Sequence, residues 1–254
     1  MKKLIAMLLC IGLVLSLGTL AIAAEPATEI LKGTPIVDGK LDGLYESSYS
    51  FKINNKDFAS LAAKEDSDNL EATVYFLHDG EWLYICAVVT GDSDIIDTNK
   101  SWPLDGVDVW FLTPAAPSDP TRTKITLEAF ASPSGEFNSG DYENSLNVDM
   151  AKVENAATQD PANKSYITEA KLPIPYASES EGTIVINVQL NNAYSNGSFG
   201  SYGEQFGGSP DTIVLSDTAA KAPAADDTGD MIGVVVALLA VSGTAITVLK
   251  KKEF

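Results

Sequence analysis

Ala72-Thr73-Val74-Tyr75-Phe76-Leu77-His78-Asp79-Gly80-Glu81-Trp82-Leu83-Tyr84-Ile85-Cys86-Ala87-Val88-Val89 is the stretch that decides the fold. Two runs rich in β-branched and aromatic residues flank Asp79-Gly80. An Asp-Gly pair tolerates the positive φ that tight hairpin turns need, so the stretch reads as a β-hairpin. Similar short runs recur at residues 107–112, 124–130, 166–172, 184–190 and 212–215, with Gly, Pro, Asn and Asp between them. Residues 147–153 form a weaker run, expected to pair back on 166–172. No run sustains a 3.6-residue period before the last apolar stretch. The pattern predicts an all-β fold, an antiparallel β-sandwich of jelly-roll type.

The chain has 254 residues, 45% of them hydrophobic, which suffices for one sizeable core. Its formal net charge is −18. Such an excess argues against nucleic acid, whose phosphates need a basic footprint, and against an anionic lipid surface. Cys10 and Cys86 are the two cysteines, and no disulfide framework is expected from them. A single histidine, His78, excludes multi-histidine metal catalysis. Beside the hairpin turn, His78 reads as structural.

The two ends address the protein. Lys2 and Lys3 precede an apolar run that ends in Ala21-Ile22-Ala23, the outline of a secretory leader, so residues 1–24 read as a signal peptide. Residues 25–217 are assigned to the sandwich and 218–230 to an Ala-, Asp- and Pro-rich linker. Residues 231–249 are apolar, and at about 1.5 Å per residue they form a helix long enough to span a bilayer. Lys250, Lys251 and Lys252 open the tail at 250–254 and keep it cytoplasmic. The expectation is one C-terminal transmembrane helix with the sandwich outside. Thr228-Gly229, an apolar span and a basic tail together resemble the wall-sorting signal of Gram-positive surface proteins. That signal wants Leu-Pro-x-Thr-Gly, whereas Ala225 and Asp226 stand at the Leu and Pro positions. The resemblance implies anchoring at the membrane, or attachment to the wall by sortase. Between Glu25 and Asp230 there are 12 basic and 34 acidic residues, a net of −22, which suits a soluble surface domain.

Four segments carry a second resemblance. Gly33-Thr34-Pro35-Ile36-Val37-Asp38-Gly39-Lys40-Leu41-Asp42 opens the domain, and Leu77-His78-Asp79-Gly80-Glu81-Trp82-Leu83-Tyr84 follows. Then come Trp102-Pro103-Leu104-Asp105-Gly106-Val107-Asp108-Val109-Trp110-Phe111 and Ile186-Asn187-Val188-Gln189-Leu190-Asn191-Asn192-Ala193. In this order and spacing the chain resembles family 9 carbohydrate-binding modules, the xylan- and cellulose-associated sugar-binding sandwiches. The resemblance implies a site in which two aromatic side chains clamp a sugar.

An aromatic ring packs on the C–H face of a pyranose by dispersion and hydrophobic contact. Trp102 matches the first clamp aromatic. Tyr202 and Phe206, shortly before the last strand, are the candidates for the second. Asp108 matches the sugar-contacting carboxylate, which accepts two hydroxyl hydrogen bonds at once, and Gln189 matches a contacting amide with a donor and an acceptor. By alternation Asp108 points away from Val107 and Val109; Trp110 shares its face and reads as packing. The family's arginine has Thr126 as its nearest counterpart here, with Lys124 a partial substitute. Asp92, Asp94 and Asp97 place oxygen ligands at alternating loop positions, a pattern that suits Ca²⁺, and the family resembled often carries structural calcium.

The implied function is non-catalytic capture of plant polysaccharide or its oligosaccharides at the cell surface, beside separate glycoside hydrolases. A hydrolase needs a carboxylate pair across a cleft, which 34 acidic residues supply by chance and so do not signal. A haem-binding sandwich would have only His78 and Met150 for axial ligands. A structural or protein-binding surface module without a sugar site is the remaining alternative.

Overall fold

The computed structural model describes residues 28–56, 68–96, 104–112, 122–130, 146, 148–175, 182–195, 199–203 and 211–222. Eleven strands run through them: β1 (Glu29–Lys32), β2 (Ser50–Asn54), β3 (Glu71–His78), β4 (Trp82–Thr90), β5 (Gly106–Leu112), β6 (Arg122–Glu128), β7 (Glu154–Asp160), β8 (Ser165–Pro173), β9 (Thr183–Ala193), β10 (Phe199–Gly203) and β11 (Asp211–Ala219). Among the described residues the helical segments are three short 3₁₀ turns. The fold is all-β.

All the strands join one sheet in the order β6-β5-β9-β11-β1-β3-β4-β8-β7, with β10 on β9 and β2 on β3. The sheet folds over so that its two halves share a core. Val107, Val109 and Phe111 of β5, with Ile186, Val188 and Leu190 of β9, meet Val74, Phe76, Ile85 and Leu172 of β3, β4 and β8 in one buried cluster. Along each of these strands the core residues alternate, as a pleated strand requires. The hydrophobic effect over this interface holds the halves together.

The expected hairpin forms, with β3 and β4 antiparallel from Glu71 opposite Thr90 to His78 opposite Leu83. Gly80 takes φ 102°, and Asp79 Oδ1 accepts hydrogen bonds from the Glu81 and Trp82 amides at 2.9 and 2.8 Å. His78 is buried, with Nε2 2.9 Å from the Ser216 carbonyl oxygen. The hairpin's outer face is buried too. Tyr45, Leu77, Tyr84 and Cys86 form a second cluster, closed by Val37, Leu41 and Leu44. The opening motif is therefore a cover for this face. Asp38 and Gly39 donate their amides to Glu169 Oε2 at 2.9 and 2.7 Å. Burial holds the Glu169 carboxyl above the usual glutamate range, against the lowering effect of these backbone donors. Cys86 is a buried free thiol.

Three expectations need correction. Pairing is not wholly antiparallel, because β1 runs parallel to both β11 and β3. A parallel pair needs a long crossover, and the chain between β1 and β3 is long enough to hold β2 and a 3₁₀ turn. The strand expected at 147–153 lies later, as β7, which pairs on β8. Asp149 caps a 3₁₀ turn at Met150–Lys152 by accepting from the Ala151 amide, so the chain turns before it extends. The last strand also continues to Ala219, and the Ala220 amide donates to the Lys32 carbonyl at 2.8 Å. The start of the expected linker at 218–230 therefore belongs to the sheet. The signal peptide at 1–24 and the apolar run at 231–249 lie outside the described residues. Among the described residues no helix is long and apolar enough to cross a membrane.

Candidate ligand-binding face

The strands β6, β5, β9 and β10 lie side by side; they turn a row of apolar residues inward, and the opposite face carries polar residues beside a small buried cluster of Trp110, Leu112 and Val185. Register brings the polar positions into rows. Asp108 of β5 stands opposite Thr126 of β6 and opposite Gln189 of β9. Trp110 stands opposite Lys124 and Asn187 in the next row. Asn191, two residues beyond Gln189, stands opposite Ser201 of β10. Each of these polar residues is buried.

Burying a charge is costly unless it is paired and hydrogen-bonded. Asp108 meets both conditions. Thr126 Oγ1 donates to Asp108 Oδ1 at 2.7 Å, and Lys124 Nζ lies 3.4 Å from Oδ2. The Lys124 ammonium also sits over the Trp110 ring, 5.6 Å from its centroid, within cation–π range. Gln189, Asn191 and Ser201 form a second polar group. Gln189 Nε2 donates to Asn191 Oδ1 at 2.9 Å and to Ser201 Oγ at 2.6 Å. Ser201 Oγ donates to Asn191 Oδ1 at 2.7 Å.

The fold thus brings Asp108 and Gln189 together as cross-strand neighbours. It does not bring Tyr202 to them. Tyr202 stands opposite Leu190 and packs into the main core, so it faces away from the row of Asp108. Trp102 and Phe206, the other expected aromatics, lie outside the described residues. Sequence reasoning did not single out Asn191 or Ser201. The i, i+2 spacing from Gln189 is the signal that places Asn191 on the same face. Ser201 carries no such signal, because only the β9–β10 register reveals it.

Asp92 and Asp94 lie in the loop after β4, and Asp97 is outside the described residues. Asp92 Oδ1 accepts from the Asp94 amide at 3.0 Å, and Asp94 Oδ2 accepts from the Ser195 amide at 2.8 Å. Asp105 fastens the same region to β9, accepting from the Ile96 and Ala193 amides at 2.7 and 2.6 Å. Burial, and next the charge of Asp92, push the Asp105 carboxyl up to about 8. Among the described residues no group of three or more His, Cys, Asp or Glu side chains could hold a metal ion. The described carboxylates of this loop serve as acceptors for backbone donors.

A family model described as carbohydrate family 9 binding domain-like matches residues 37–202. Among curated proteins, endo-1,4-beta-xylanase A of Thermoanaerobacterium saccharolyticum is 29% identical over 185 residues, covering 69% of this chain and 14% of that protein. The exoglucanase XynX of Acetivibrio thermocellus is 27% identical over 184 residues, covering 68% and 15%. The chain therefore matches only about a seventh of the length of these relatives. Among solved structures, a family 9 carbohydrate binding module from Caldicellulosiruptor kristjanssonii in complex with cellotriose has a TM-score of 0.49 at 14% identity. It covers 79% of this chain and 96% of that one.

Proposed function

The chain belongs to the carbohydrate family 9 binding domain-like family, and we propose that it captures plant polysaccharide or its oligosaccharides without breaking a bond. The observation that carries this reading is the juxtaposition of Asp108 and Gln189 across β5 and β9. A carboxylate that accepts and an amide that both donates and accepts suit the hydroxyl rim of a neutral sugar. Trp102, which precedes β5, supplies the stacking platform, and Phe206 is the remaining candidate for the opposing ring. Matching segments in a xylanase and an exoglucanase support a role beside separate hydrolases.

The remaining parts of the proposal are the address and the metal. The leader at 1–24 secretes the chain, and the apolar run at 231–249 with its lysines holds it at the extracellular face of the membrane. Sortase transfer at Thr228-Gly229 would move it to the wall of a Gram-positive cell. Asp92, Asp94 and Asp97 are the proposed ligands of a structural Ca²⁺, supported by oxygen donors at alternating positions. A rise in melting temperature with Ca²⁺ over EDTA, lost in Asp94→Asn, checks the metal.

Calorimetric titration with glucose, cellobiose, xylobiose and soluble xylan tests the binding itself. The expected result is saturable heat that disappears in Trp102→Ala and weakens at least about tenfold in Asp108→Asn. A flat trace with every sugar, from a folded protein, refutes the reading.

A further inference from the structure

We propose that Ser201 is a positioning residue that couples the Gln189 and Asn191 amides, and that these two side chains offer one ligand hydroxyl a matched acceptor and donor. This rests on the sugar-binding reading above and says how that site would tell one hydroxyl pattern from another.

A serine hydroxyl has one proton to give. Ser201 gives it to Asn191 Oδ1, and its lone pair receives the Gln189 Nε2 donor. Gln189 Nε2 also donates to Asn191 Oδ1. If the Gln189 amide turned over, its oxygen would face Asn191 Oδ1, acceptor against acceptor. The triangle therefore couples the two amides, so that neither turns over alone, and in either joint orientation one acceptor and one donor are left outside it.

Two atoms are left over. Among the described residues, Gln189 Oε1 and Asn191 Nδ2 are both buried and have no hydrogen-bond partner. Gln189 is 5% exposed and Asn191 is 1% exposed. Buried polar atoms without partners are costly, and native proteins rarely carry them without use. One is an acceptor and the other a donor, two residues apart on one face of β9. A free hydroxyl satisfies both, because it donates to Gln189 Oε1 while it accepts from Asn191 Nδ2. A methyl ether or a carboxylate has no proton for Gln189, and a deoxy carbon serves neither atom.

The test is calorimetric titration of the full chain with glucose, each monodeoxyglucose and each mono-O-methylglucose. Wild type is expected to bind glucose and to lose about tenfold or more when one particular position is deoxygenated or methylated. In Ser201→Ala and Asn191→Asp the penalty at that position shrinks to about twofold or less, while penalties at the other positions stay. Ser201→Thr, which keeps the hydroxyl, restores the wild-type pattern. A merely structural role would weaken all the sugars alike. Melting curves establish that each variant is folded; should Ser201→Ala not fold, Asn191→Asp and Ser201→Thr carry the comparison. Unchanged discrimination in the variants overturns this inference and leaves the sugar-binding reading standing. Wild type that binds none of the sugars overturns both.

Discussion

Lys124 and Asp108 form an ion pair across β6 and β5, Nζ to Oδ2 3.4 Å, with side chains only 9% and 2% exposed. Removing Asp108 takes from the buried Lys124 ammonium the carboxylate that faces it, in a place with little water. Asp108→Ala is expected to cost about 3–5 kcal/mol, the range for broken buried pairs. The double variant Asp108→Leu with Lys124→Met, which removes both charges and keeps volume, should cost much less. Urea denaturation of the three proteins measures this. A double variant that loses as much as Asp108→Ala would mean that the two charges do not compensate each other.

Gly39 makes a separate stability prediction. It takes φ 78°, and a Cβ there would meet the Ala157 carbonyl carbon at 2.9 Å. Gly182 has a similar φ of 83°, with nothing among the described residues within 4 Å. Gly182→Ala should therefore show only the conformational cost, about 1 kcal/mol. Gly39→Ala adds a clash with backbone that cannot easily retreat, and should lose about 2–3 kcal/mol. Paired thermal melts decide the matter; equal losses at the two sites would remove Gly39 from the cover's fixing points.

These two sites show what the sequence discloses and what it hides. Alternation at residues 107–112 and 184–190 places Asp108 and Gln189 on one face and Val107, Val109 and Val188 on the other, and the register sets Asp108 opposite Gln189. The burial of Asp108 is not legible, because its partners Lys124 and Thr126 lie on a different strand. An acid between valines reads the same whether it is solvated or paired. β10 is hidden for another reason: two glycines and a serine in Phe199–Gly203 carry no hydrophobic period. Without its register, Tyr202 reads as a clamp aromatic, although it packs in the core opposite Leu190. β7 is a polar edge strand, and its Glu154-Asn155-Ala156-Ala157-Thr158-Gln159-Asp160 lacks the apolar alternation that betrays the inner strands.

The hydrogen bonds from Asp38 and Gly39 to Glu169 predict a pH dependence whose sign follows from burial. Burial keeps the folded-state pKa of Glu169 above that of the unfolded chain, despite the opposing backbone donors. Between the ordinary glutamate value and the raised one, the folded protein holds a proton that the unfolded chain has lost. Stability from this group is therefore full below the ordinary value and falls as pH rises through the folded-state value. Glu169→Gln keeps a carbonyl oxygen for the Asp38 and Gly39 amides but cannot titrate. The difference in unfolding free energy, wild type minus variant, should decline as pH rises from about 4, and then level off. Urea denaturation across that range, with both proteins at matched ionic strength, measures it. A difference that is flat with pH would mean that Glu169 titrates alike in both states. A difference that grows with pH would mean that the backbone donors outweigh burial, and that the cover clasps the anion in preference to the acid.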